Sequence, residues 1–102
     1  MATKRRVKET FSLYDTADYL KSEEDMVAYL EASMEEAADD PAYIAVALGN
    51  IARAYGMARL AKDTGLTREG LYKALSAEGN PSLGTVLKVV KALGLKLTPQ
   101  VA

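Results

Sequence analysis

The stretch DTGLTREGLYKAL, residues 63–75, ends one short helix at Gly65 and opens another almost at once. Gly65 permits a positive-φ turn at no steric cost. Thr67 is a natural N-cap, because its hydroxyl can accept from a free N–H of the first turn. Leu66, Leu71 and Leu75 anchor the second helix, so Arg68, Glu69, Tyr72 and Lys73 are expected to face outward. Ala61 must be small where the second helix crosses the first. A helix this short, with so polar a leading end, is a weak packing element. Its form suits insertion: an α-helix fits the DNA major groove, and side chains near its N-terminus reach base edges. Such helix pairs also serve purely as packing devices, and the Ala-x3-Gly-x5-Leu spacing alone leaves both readings open.

The same start and stop signals recur along the 102 residues, a length that suits one domain. Asp15 predicts the cap of a short helix through Leu20. Ser22 predicts a second, with Glu23, Glu24 and Asp25 in its electropositive first turn. Met26, Val27, Leu30, Met34 and Ala37 recur at helical spacing there and are expected to be buried. Asp40 with Pro41 opens a third helix, since proline at the first position loses nothing. Its apolar face is Ile44, Ala47, Leu48, Ile51, Ala52 and Tyr55. Gly49 inside it costs roughly 1 kcal/mol relative to alanine, which predicts a close helix contact. Helices are further expected from Met57 to Thr64, from Thr67 to about Ala77, and from Ser82 to Gly94. The last carries Leu83, Val86, Leu87, Val90 and Leu93 as its stripe. LKLTP, residues 95–99, alternates and predicts a short C-terminal strand. The reading is an all-α domain of five or six helices over residues 13–102, preceded by a basic arm at 1–12. Within it, residues 13–55 form the acidic helices and 56–98 the helix pair and last helix.

Composition narrows the chemistry. The chain has neither Cys nor His, so the commonest general base and metal ligands are missing. Carboxylates abound, but none has a catalytic partner at recognisable spacing; an enzyme, a metal or a cofactor is not expected. No apolar stretch is long enough to span a bilayer, and no secretory signal follows the basic start. A cytoplasmic protein is expected. Charge is divided. Residues 1–50 carry 5 Lys/Arg against 11 Asp/Glu, a net −6, while residues 51–102 carry 8 against 3, a net +5. This predicts two surfaces, with the basic half free to meet a polyanion. The competing reading pairs acidic with basic helices inside the fold.

GMARLAKDTGLTREGLYKALSAEGNPSLGTVLKVVKALGLKL resembles the helix–turn–helix of the lambda-repressor-like, XRE class. With YDTADYLKSEEDMVAYLEASMEE and DPAYIAVALGNIARAYG before it, the chain resembles the probable addiction-module antidote proteins, the HigA-like antitoxins, over residues 11–98. The resemblance implies a dimeric DNA-binding protein that neutralises a RelE/HigB-like mRNA-cleaving toxin and represses its own operon. It sets Thr67, Arg68, Glu69, Tyr72 and Lys73 on the recognition helix. XRE-class proteins often carry a phosphate-contacting Gln where this chain has Met57; Arg59 and Lys62 are the candidates to replace it. Asn80 and Ser82, at the start of the last helix, are further phosphate candidates, although turn formation and N-capping account for both without DNA.

Toxins that cleave RNA are typically basic, so an acidic face would be steered toward them. Tyr14, Tyr19, Glu23, Glu24, Tyr29 and Glu31 are the expected toxin contacts. A twofold dimer on a near-palindromic operator is expected, because one short helix reads too few base pairs. Its interface is expected on the last helix or through Leu95 and Leu97. The alternative is a stand-alone XRE-type repressor with no toxin partner.

Overall fold

Asp40 shows how the elements begin. Its carboxylate accepts from the N–H groups of Ala42 and Tyr43, and Pro41 occupies the first helical position. The computed structural model of the protein describes residues 16–37 and 39–101. Among these, one 3-10 turn, Thr16–Tyr19, precedes five α-helices: α1 Glu23–Glu36, α2 Pro41–Tyr55, α3 Met57–Thr64, α4 Arg68–Ala74 and α5 Leu83–Ala92. Ser22 caps α1 and Ser82 caps α5, each accepting from an N–H three residues on. The fold is all-α. The basic arm and Asp15 lie outside the described residues, and the expected helix from there to Leu20 is, in its described part, a single 3-10 turn.

The core forms where α2 and α3 meet their neighbours. Leu48, Ile51, Leu60, Leu71, Val89 and Leu93 are its largest fully buried side chains. α3 packs on α2, α4 and α5, and α1 packs on α2. Gly49 has the predicted reason. A Cβ at that position would run into the backbone carbonyl oxygen of Leu75 at the end of α4. This contact brings α2 against the α4 terminus at backbone distance.

Several expectations are corrected. On α1, Val27 and Met34 are exposed, and Ser33 is buried instead of them. The Ser33 hydroxyl donates to the Tyr29 carbonyl at 2.8 Å, so its burial leaves no polar group unsatisfied. On α5 the buried face is Val89, Val90 and Leu93, with Val86 packed beside it, while Leu83 is 70% and Leu87 48% exposed. The two leucines sit four residues apart, rotated off the face that α3 covers. α4 ends at Ala74, short of Ala77, because the chain turns at once: the Gly79 N–H donates to the Ser76 carbonyl. Residues 95–99 form neither helix nor strand. A strand is defined by its ladder, and among the described residues no other strand lies beside them.

Gly49→Ala tests the close approach. Helix propensity alone favours alanine by roughly 1 kcal/mol, whereas the clash with the Leu75 carbonyl predicts a net loss of about 1–3 kcal/mol in urea unfolding.

Candidate nucleic-acid and partner interfaces

Local chemistry sets the α3–α4 corner. Gly65 adopts φ 77°, ψ 11°, and its N–H donates to the Ala61 carbonyl at 2.9 Å, closing α3. The Thr64 hydroxyl donates to the Leu60 carbonyl at 2.8 Å and accepts from the Leu66 N–H at 3.3 Å. Thr67 is extended, and its hydroxyl accepts from the Gly70 N–H at 2.9 Å. α4 therefore starts three residues after the turn glycine. Leu71 is fully buried and Leu75 nearly so, with Leu66 packed against the same cluster.

Anchoring that side leaves the other in solvent. Arg68, Glu69 and Lys73 are exposed, and the Tyr72 ring is 48% exposed. Thr67 is exposed as well, with its hydroxyl engaged as a cap; the O–H proton is still available to a donor role. The five residues thus share one continuous outward edge around the start of α4. Two cations, one aromatic ring and one hydroxyl on a short helix form a surface able to meet phosphates and base edges.

The flanking candidates differ in how free they are. Lys62 is exposed. Met57 is buried, so its own side chain is not offered to a phosphate. Arg59 is exposed, and its guanidinium stacks over the Tyr55 ring, 4.3 Å from the centroid. The Tyr55 hydroxyl in turn donates to Asp63 at 2.8 Å. That hydrogen bond holds the phenol pKa above the usual tyrosine range; burial adds to the rise and the Arg59 charge opposes it. Tyr55, Arg59 and Asp63 therefore staple the end of α2 to α3 across Gly56. Sequence reading passed over this cluster, although its four-residue spacing was a signal. Asn80 is exposed in the turn before α5. The Ser82 hydroxyl accepts from the Thr85 N–H at 3.1 Å and donates to the Thr85 hydroxyl at 3.1 Å, so capping already occupies it.

The expected toxin contacts do not form one patch. Glu23, Glu24 and Glu31 do come together, around a depression that Val27 and Leu95 also line. It adjoins a groove of about 510 Å³ between α1 and the 95–100 segment. Tyr29 faces elsewhere: its hydroxyl accepts from the Asn50 amide at 2.8 Å, and Arg53 donates to the Asn50 carbonyl oxygen at 2.7 Å. It is half-buried against the core. Tyr19 is exposed on the 3-10 turn, and Tyr14 lies outside the described residues. Among the described residues no cluster of carboxylates is arranged to hold a metal ion, and no helix is long and apolar enough to cross a membrane.

Comparison with known proteins places this geometry in a biological setting. The family described as "Probable addiction module antidote protein" matches residues 10–101. The chain belongs to that family. An uncharacterized protein of Haemophilus influenzae (strain Rd) is 49% identical over 87 residues, which span 85% of this chain and 88% of the relative. No solved structure matches the chain. An addiction-module antidote implies a toxin as partner, so an antidote needs a surface for another protein whatever else it binds.

The Thr67 cap is directly testable in the antidote. Thr67→Ala should lower stability by about 1 kcal/mol, and Thr67→Asp, which restores an acceptor, should recover most of it in thermal unfolding.

Proposed function

We propose that the chain is the antitoxin of a type II toxin–antitoxin module. It neutralises a RelE/HigB-like mRNA-cleaving toxin and, as a dimer, binds operator DNA to repress its own operon. The observation that carries the DNA half of this reading is the outward edge of α4: Leu71 and Leu75 are buried while Arg68, Tyr72 and Lys73 are exposed. α3 and α4 act as an XRE-type helix–turn–helix, with α4 as the recognition helix. Arg68 pairs with a guanine edge in bidentate fashion, and Tyr72 meets a thymine methyl or a phosphate. Glu69 accepts from a cytosine amino group or orients Arg68. Lys73, Lys62 and Arg59 supply phosphate contacts, Arg59 held in place by its stacking on Tyr55. Asn80 adds a contact at the neighbouring backbone. The Ser82 hydroxyl, already spent on Thr85, contributes through the helix start it caps.

The dimer solves the short reach of one recognition helix. The uncovered leucines of α5 support it. Leu83 and Leu87 are large, apolar and exposed on one helix face, and a twofold contact sets each pair against its copy. Half-sites then fall about one helical turn apart, about 34–36 Å centre to centre.

Gel shift on the chain's own upstream DNA tests the reading. Binding should be specific and should weaken steeply with salt, since phosphate contacts release counterions. Arg68→Ala should relax base preference at one position per half-site, by about 1–3 kcal/mol each. An equal loss on every sequence would make Arg68 a phosphate contact instead. Leu83→Asp with Leu87→Asp should convert the dimer to monomer in sedimentation and reduce operator affinity; an unchanged dimer would move the interface off α5.

A further inference from the structure

The groove between α1 and residues 95–100 has features that neither α1 nor the C-terminal segment explains alone. Val27 and Met34 lie one heptad apart on α1 and are exposed in the groove, which Leu97 completes from the other side. Glu31 and Glu35 rise beside this apolar floor, and Glu23 and Glu24 edge the adjoining depression. Among the described residues, Lys96 is the one cation lining either. The wall itself belongs to no helix or strand. Residues 95–98, Leu-Lys-Leu-Thr, alternate in polarity. The Leu95 N–H is tied to the Val90 carbonyl, but from Lys96 to Thr98 no backbone group has a hydrogen-bonding partner among the described residues. Pro99, lacking an N–H, ends the stretch that could pair.

We propose that this groove is the seat of the toxin, and that its occupant is an extended, basic segment of that protein which adds a strand to residues 95–98. The inference rests on the antitoxin reading and specifies its protein-binding site. Strand addition supplies main-chain hydrogen bonds, and alternate side chains of the incoming segment fall on opposite sides. Those on one side cover Val27, Met34 and Leu97; the basic ones meet Glu31 and Glu35. A second copy of this chain is the rival occupant. A twofold contact through this face brings Glu31 and Glu35 near the same carboxylates of the copy, and opposed like charges are unfavourable. Lys88 and Lys91 are the charged residues of α5, so Leu83 and Leu87 have no acidic residue on their own helix to attract a cationic partner. The two uncovered apolar faces thus divide: α5 for self-association, the α1 groove for a cationic partner.

The test co-expresses the full chain with the product of the neighbouring reading frame and follows their binding kinetics. Two variants alter exposed positions only: Glu31→Lys with Glu35→Lys, and Leu97→Pro, which removes the central N–H of the pairing stretch. The charge reversal should slow association about tenfold and flatten its salt dependence, as rim charges steer encounter. Leu97→Pro should mainly speed dissociation, by about tenfold or more. Both variants should bind promoter DNA like the unaltered chain. Unchanged toxin kinetics in both overturn the proposal. So does a variant that dissociates the dimer, which would give the groove to a second copy. Failure of the unaltered chain to bind the product is a separate result, and it overturns the toxin reading on which the groove assignment rests.

Discussion

Backbone meets backbone where Gly49 of α2 lies against the Leu75 carbonyl, and the position of α4 follows from that approach. Any side chain at residue 49 would push the α4 terminus away. With the gap closed, Leu71 and Leu75 drop into the cluster formed by Leu48, Ile51 and Leu60. A seven-residue helix has little stability of its own, because nucleation is costly and few bonds follow it. α4 therefore exists by virtue of three supports: the close contact at its end, the buried leucines on its inner side, and the Thr67 cap at its start. The polar outer edge contributes little to holding it, which frees those residues for recognition.

The second organising feature is the segregation of charge. Four acidic residues of α1 line the groove and its adjoining depression, while the cations of α3 and α4 stand on other elements. α1 rests on α2, and α4 is reached through α2 and α3. On the function proposed above, this arrangement draws a polyanion to one face and a cationic toxin to the other. The staple of Tyr55, Arg59 and Asp63 ties the end of α2 to α3, where the acidic half meets the basic corner.

The parts of this structure that are written locally were legible in the sequence. Ser22, Asp40, Thr67 and Ser82 each begin a helix because a side-chain oxygen within reach of its own first turn is a local matter. Gly65 and its positive φ belong to the same class. Gly49 was legible as a close contact, though not its partner, Leu75. What the periodicity of apolar residues could not reveal is whether a second element covers them. Val27, Met34, Leu83 and Leu87 fit their stripes and yet remain exposed, for want of a covering helix. Alternation at residues 95–98 likewise marks a segment able to pair, while pairing itself needs a neighbour. Among the toxin-contact candidates on α1, Glu23, Glu24 and Glu31 converge on one side, whereas Tyr29 is turned toward Asn50 of α2 by a hydrogen bond. The misses are thus tertiary, and two of them mark the surfaces proposed above for partners.

The central claim is that the outer edge of α4 is a nucleic-acid-reading surface. Amide chemical-shift mapping of the labelled chain, titrated with a duplex of its own upstream region, addresses it residue by residue. The account predicts that resonances of Thr67, Arg68, Glu69, Tyr72 and Lys73 move together and saturably, while those of Val27, Glu31 and Glu35 stay in place. Saturable shifts confined to α1 or the C-terminal segment, with residues 67–73 unmoved, would contradict it.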